Sequence, residues 1–334
     1  MHTVFPRSGF FLVRAHLCIG PSAVAFRTMH TPSAIIDLGT NTFNLLVFTR
    51  DEQGLRVVHS VELPVFLGRG GVERGVIADD AFARGIAALE QHRAMALAHG
   101  ATSIRGFGTS ALRNASNGGR FVEEVRTRLG IPIHIILGEE EAGLILDGVR
   151  QAVRFTSRPA LVMDIGGGSI EFVLATDKAL MWKQSFEVGT TRLGERMPLS
   201  EPCTLDEESR VAEHLDARLE ALYAVIDRHE PHVLIGSAGS FDTLAEMVVA
   251  ARGAALEPGA TSLEFAAAEF DALKDRLMRM TRAERLRMPG LPEHRVDTIL
   301  YALIATERVL QAGGIRDMIW SRYSLKEGAA ARMG

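Results

Sequence analysis

The chain has 334 residues, 47% of them hydrophobic and 23% charged, with a net charge of −4. That length holds about two domains at ~150 residues each, and the composition excludes disorder, collagen and a disulfide scaffold. No run reaches the ~18 apolar residues of a membrane span, and the acidic balance speaks against nucleic acid as the main partner.

Residues 1–33 contain no Asp or Glu and carry Arg7, Arg14 and Arg27. Arg14 and His16 interrupt the apolar run that starts at Phe10, which a secretory signal needs unbroken for ~7–15 residues. The segment reads as an unstructured leader or an upstream start codon, with Met29 opening the true protein, so residues 1–28 are expected to be dispensable. Cys18 and Cys203 form no C-x-x-C pair, which fits a reducing cytoplasm and signals neither zinc nor redox chemistry.

Ala34–Asp37 and Phe43–Arg50 read as strands around the turn Gly39-Thr40-Asn41-Thr42, with Gly54–Glu62 as a third strand. Asp80–His99 reads as a helix, with Phe82, Ile86, Leu89 and Ala96 on one face, Asp79 or Asp80 as its cap and Gly100 as its stop. Ser103–Gly108 is a strand, Gly119–Leu129 a helix, Pro132–Ile136 a strand and Glu139–Arg154 a helix. The pattern then restarts with strands Ala160–Ile165 and Ile170–Thr176 around the turn Gly166–Ser169. Asp37, Gly39 and Thr49 meet Asp164, Gly166 and Thr176 at a constant offset of 127, which reads as a duplication. Beyond it, Leu205–Glu230 is expected as one long helix, Val233–Ile235 as a strand and Phe241–Arg252 as a helix. Ser262–Met280 and Val296–Ala312 follow as helices, Met318–Trp320 as a strand and Leu325–Met333 as a last helix. The expected division is 1–33 as leader, 34–157 and 158–334 as domains, with the boundary near Ser157–Pro159.

Five polar or glycine-rich segments lie at strand ends, the edge at which open α/β sheets bind ligands. Gly39 and Gly166, Gly167 and Gly168 let backbone N–H groups approach an anion, and Thr40, Thr42 and Ser169 add hydroxyl donors. One such hairpin could be only a tight turn; two equivalent ones, each preceded by Asp, point to phosphate. Asp37 and Asp164 are placed to reach a Mg²⁺ between the halves through water. Gly236-Ser-Ala-Gly-Ser240 ends a strand and opens a helix, a phosphate-binding geometry in which Ser240 could equally be an N-cap. Thr109, Ser110 and Arg113 follow a strand, and Arg113 could grip phosphate with two parallel hydrogen bonds or form a surface ion pair. Glu139, Glu140 and Glu141 suit a helix N-terminus, but they point ~100° apart, so one of them can face a cleft and deprotonate water. Glu171 is a second candidate base. No G-x-x-x-x-G-K-[ST] loop, G-x-S-x-G elbow or H-E-x-x-H pattern is present.

The ordered set D-L-G-T-N-T, G-T-S-A-L-R, G-E-E-E-A, D-I-G-G-G-S-I-E, S-F-E-V-G-T-T-R-L and G-S-A-G-S-F-D-T-L resembles the exopolyphosphatase/guanosine pentaphosphate phosphohydrolase family, from about Ala34 to Gly328. The resemblance implies an α/β fold of two actin-like (ribonuclease H-like) domains with an interdomain active-site cleft. It implies hydrolysis, with Mg²⁺, of the terminal phosphoryl of inorganic polyphosphate or guanosine pentaphosphate. The family's catalytic glutamate falls on Glu141, and its acidic positions fall on Asp164 and Glu171. Its phosphate-binding positions fall on Thr40, Asn41, Thr42, Arg113, Gly167, Gly168, Ser169 and the loop containing Gly236, Ser237, Gly239 and Ser240. Asp37, Asp164 and Glu171 are the expected metal positions. Gly143, Ile170 and Ala238 depart from the common Arg, Thr and Ser, which bears on substrate preference. Longer members carry a further C-terminal helical portion that grips long polyphosphate, so short chains or nucleotides are expected substrates. A cytoplasmic enzyme is expected, with no nucleic-acid or membrane partner, and a homodimer is compatible with the sequence. Two other readings stay open: a kinase of the same fold using ATP, and a polyphosphate or alarmone sensor with little turnover.

Overall fold

Strand β1 (Ser33–Leu38) turns Ala34, Ile36 and Leu38 to one face and Ile35 to the other, and all four are buried. A strand buried on both faces belongs in the middle of a sheet covered on both sides. The computed structural model, which describes residues 1–2, 31–52 and 54–333, places it there; the expectation for the leader lies otherwise outside the described residues. The first sheet has the order β3-β2-β1-β4-β5, built from β1, β2 (Thr42–Asp51), β3 (Gly54–Pro64), β4 (Ser103–Gly108) and β5 (Ile133–Ile135). Helix α1 (Asp79–Ala98) joins β3 to β4, α2 (Ser110–Asn114) and α3 (Gly118–Leu129) join β4 to β5, and α4 (Gly138–Ala152) follows. Residue Ala78, not an aspartate, is the N-cap of α1; Asp79 and Asp80 occupy its first turn, where they favour the helix dipole.

The second sheet repeats the plan. It contains β6 (Ala160–Ile165), β7 (Ile170–Ala175), β8 (Leu180–Phe186), β9 (Val233–Ser237), β10 (Ser262–Ala266) and β11 (Asp317–Ser321), in the order β10-β11-β9-β6-β7-β8. Among the described helices, α5 (Thr190–Arg196), α6 (Leu205–Arg218) and α7 (Glu220–His229) precede β9. Helix α8 (Ala238–Ala251) follows β9, and α9 (Ala267–Met278), α10 (Arg282–Arg285) and α11 (Ile299–Gly313) lie between β10 and β11. Helix α12 (Leu325–Arg332) comes last. The duplication extends to strand register: Asp37 pairs with Asn44 across β1–β2, and Asp164 pairs with Glu171 across β6–β7, both pairs related by the offset of 127.

Two sequence expectations are corrected. The long helix Leu205–Glu230 is two helices, broken at Leu219, whose ψ of 11° leaves the helical range. Ser262–Met280 is not all helix: Ser262–Ala266 pairs antiparallel with β11 before α9 begins. An open sheet edge supplied hydrogen-bond partners that helical propensity could not foresee. Strand β8 and the short helices α2, α5 and α10 were not expected.

Helices α4 and α12 lie between the sheets. Ile35, Leu46 and Phe48 of the first sheet and Val162, Val173 and Ala175 of the second share one apolar core with Ala142, Ile145 and Val149 of α4 and with Leu325, Ala329 and Ala330 of α12. Helix α4 leans on β7 and β8, whereas α12 returns to β1, β2 and β3. The two helices cross at glycines: a Cβ on Gly148 would fall 1.9 Å from the Ser324 carbonyl oxygen, and one on Gly328 would fall 1.8 Å from that of Leu144. No described helix is long and apolar enough to cross a membrane.

Candidate active site

Each half ends its first strand in the same turn. The Gly39 N–H donates to Thr42 O at 3.1 Å and the Gly166 N–H to Ser169 O at 3.0 Å. A Cβ on either glycine would stand 2.9 Å from that same carbonyl oxygen, so both turns require glycine. The turns meet across the cleft. A Cβ on Gly167 would come within 2.8 Å of Asn41 Cγ, and one on Gly168 would reach Ser110 Oγ at 2.5 Å and Thr40 Oγ1 at 2.7 Å. The two turns therefore pack together with no room for a side chain on either glycine, and the Thr40 and Ser110 hydroxyls stand at their junction.

The cleft between the turns is lined by Asp37, Thr40, Asn41, Thr42, Thr109, Ser110, Glu141, Asp164, Gly167, Gly168, Ser169, Glu171, Gly239 and Ser240. Three expected binding residues stand behind it. Gly236 backs onto the Phe241 ring, and Ser237 donates through Oγ to Asp164 Oδ2 at 2.6 Å. Ser237, not Ser240, is the N-cap of α8, so Ser240 lies inside the first turn. Ala238, in the cleft wall, has φ of +63°, a strained value for a residue with a Cβ. Arg113 lies behind Glu141: its Nη1 donates to Glu141 Oε2 at 2.8 Å and to Ile136 O at 3.1 Å.

Of the three adjacent glutamates, Glu139 and Glu140 are exposed and only Glu141 is buried in the cleft wall. Burial raises the Glu141 pKa, and the Arg113 guanidinium opposes that rise without cancelling it. Glu171, 2% exposed, accepts from Ser169 Oγ at 2.6 Å and Ser185 Oγ at 2.7 Å. Its pKa is nevertheless raised well above the usual range, by burial and then by repulsion from Glu141 and Asp164. Asp164 is raised by burial against hydrogen bonds from Ser237 and Ser324. Asp37 is pushed by burial to about 7, with Lys326 opposing.

Five cleft carboxyls with raised pKa values, the fifth being Asp242 at about 6, mark a site short of positive charge. Among the described residues no three acidic or histidine side chains converge tightly enough to hold a metal directly. The Asp37 Oδ1 atom is buried without any hydrogen-bond partner. An orphaned carboxylate oxygen beside Asp164 suits a hard cation that keeps most of its waters, as Mg²⁺ does.

Several cleft residues escaped the sequence reading. Glu62 of β3 accepts from Arg295 Nη2 at 2.7 Å and faces His294 Nε2 at 2.9 Å, and these contacts hold its carboxyl near 2 against burial. The Arg295 guanidinium lies directly on Gly239. Ser324 donates to Asp164, and Lys326 lines the cleft beside it. The S-x-x-E capping box Ser324–Glu327 was a usable signal for that turn. Nothing local marked Glu62 or Arg295.

The sequence model of the Ppx/GppA phosphatase family matches residues 46–333. Exopolyphosphatase 2 of Mycobacterium tuberculosis is 30% identical over 322 residues, covering 90% of this chain and 98% of that protein. A crystal structure of an exopolyphosphatase from Cytophaga hutchinsonii superposes with a TM-score of 0.87 at 34% identity, over 90% of this chain and 97% of that one. A Ppx/GppA enzyme of Aquifex aeolicus superposes with a TM-score of 0.74 at 21% identity, over 90% of this chain and 99% of that one, and shows the shared fold.

Proposed function

The chain belongs to the Ppx/GppA phosphatase family, and on that footing we propose that it hydrolyses the terminal phosphoanhydride of inorganic polyphosphate. The observation that carries this reading is Glu141, the one buried member of three adjacent glutamates, lining the same cleft as the two glycine turns. Similarity to exopolyphosphatases supports the substrate. Guanosine pentaphosphate presents the same terminal group and is a second proposed substrate.

In the proposed reaction the terminal phosphoryl is seated by the N–H groups of the two turns and by the hydroxyls of Thr40, Thr42, Ser110 and Ser169. Glu141 takes a proton from a water aligned with phosphorus. That water's oxygen bonds to phosphorus as the bridging P–O bond breaks, giving inorganic phosphate and a chain one unit shorter. Arg113 holds the Glu141 carboxylate in place and keeps part of it ionised. We propose that Asp37, Asp164 and Glu171 hold Mg²⁺ through its waters; when bound it neutralises charge on the phosphoryl oxygens. Asparagine 41 and the backbone of Gly239 complete the walls.

A phosphate-release panel tests the reading. Polyphosphates of several lengths, guanosine pentaphosphate and ATP are compared with and without Mg²⁺ and without any acceptor. Release from polyphosphate is expected; release only when an acceptor is supplied would make the protein a kinase instead.

The pH dependence has a definite sign. Glu141 works as a base only when ionised, and its pKa is raised. The acid limb of kcat/KM should therefore lie well above the ordinary carboxylate range of about 4.3. Removing the opposing charge with Arg113→Met should move that limb to still higher pH. A limb that stays in place in the variant would separate Arg113 from Glu141.

A further inference from the structure

The guanidinium of Arg113 is engaged on both sides by carboxylates. Its Nη1 serves Glu141 and Ile136 O, while its Nη2 donates to Glu187 Oε1 at 3.2 Å. Glu187 also accepts from Ser110 Oγ at 2.7 Å and from Arg192 Nη2 at 3.0 Å. Ser110 and Arg113 come from the first half of the chain and Arg192 from the second. Two guanidiniums and a hydroxyl around one oxyanion form the donor set that recognises a phosphoryl group.

The donors are held without Glu187. Arg113 is fixed by Glu141 and Ile136 O. Arg192 is fixed by Gly168 O and Val72 O, each at 3.1 Å, and Ser110 Oγ also receives Asn114 Nδ2 at 3.2 Å. The Glu187 side chain is 40% exposed, whereas those of Arg113 and Arg192 are 13% and 16% exposed. The anion is thus the replaceable member of the cluster. The cluster borders the second turn, because the Gly189 N–H donates to Gly168 O at 3.1 Å and Ser110 itself lines the cleft.

We propose that Glu187 is a resident anion: its carboxylate fills a phosphoryl subsite made by Ser110, Arg113 and Arg192, and an anionic substrate must displace it to bind there. The class of substrate rests on the phosphohydrolase reading above; the competition does not. A Glu187 that merely positioned Arg113 would have the opposite consequence, since its loss would then weaken binding.

The test uses the full chain and inorganic tripolyphosphate, titrated by calorimetry without divalent cation so that no turnover intervenes. Glu187→Gln keeps shape and removes charge; Glu187→Ala removes the competitor altogether. Both are expected to bind tripolyphosphate about tenfold more tightly than the unaltered protein, the scale of one charged contact no longer contested. Equal or weaker binding overturns the proposal. Melting curves identify a variant that fails to fold, and the other then decides. Phosphate release by the unaltered protein is measured in parallel. Absence of release would overturn the hydrolase reading while leaving the binding comparison to decide the role of Glu187.

Discussion

Glu141→Gln is expected to lower kcat by roughly 10²–10⁴-fold, the range that a general base contributes, while Glu139→Gln and Glu140→Gln cost far less. The amide preserves size and can still accept from Arg113, so substrate capture should largely survive. The contrast arises because Glu139 and Glu140 are exposed whereas Glu141 is buried in the cleft wall. Helix-dipole electrostatics would treat all three alike. Thermal stability should move the other way. Burial raises the Glu141 pKa above its unfolded value, so the carboxyl favours folding below about pH 4.3 and that contribution is lost as pH rises through the folded pKa. The glutamine variant, compared without divalent cation, should therefore melt higher than the unaltered protein at neutral pH, with the gap closing in acid. Steady-state kinetics at the three positions and melting curves across pH check both halves. Equal, small losses of kcat at all three positions would shift the search for the base to Glu171 or Asp164.

Gly148→Ala is expected to destabilise the fold by roughly 2 kcal/mol and to damage the site as well. In an open helix the same change would stabilise by about 1 kcal/mol. Here the added Cβ would fall 1.9 Å from Ser324 O, a backbone atom that cannot rotate away, so α4 and α12 must separate. Overpacking of this kind costs about 1–3 kcal/mol or more, and it outweighs the helical gain. The displaced carbonyl belongs to Ser324, whose Oγ donates to Asp164. Parting the helices therefore also loosens a cleft carboxylate. Gly328→Ala, whose Cβ would meet Leu144 O at 1.8 Å, should behave similarly. Urea midpoints read the stability loss, and phosphate release under native conditions reads the site. Unfolding free energies within about 0.5 kcal/mol of the unaltered protein would mean that the crossing is looser than these distances require.

Much of this protein is legible along the chain because its chemistry is carried by short segments at strand ends. The two glycine turns follow from local steric demands that only glycine meets, and the aspartate before each and the offset of 127 between them stand in the sequence itself. The alternation of strands and helices was equally plain where strands are buried on both faces, as in β6 and β7, since they become unbroken apolar runs. Segments whose state depends on a neighbour were not plain. Ser262–Ala266 becomes a strand because β11 offers it an edge. Its own residues, followed by an alanine run, read as helix.

Tertiary structure decided which of the candidate residues face the cleft. Helical phase could say that Glu139, Glu140 and Glu141 diverge, but only the packing of α4 between two sheets determines which of them is buried. Arg113 was visible as a cation after a strand. Its capture by Glu141, 28 residues away, depends on how the first half folds, and its capture by Glu187, 74 residues away, on the two halves closing on each other. The Arg295–Glu62 contact spans 233 residues and left no local trace. Side-chain type and short spacing are properties of the chain itself; burial, pairing and the raised pKa values that follow from them exist only once distant segments exclude water together.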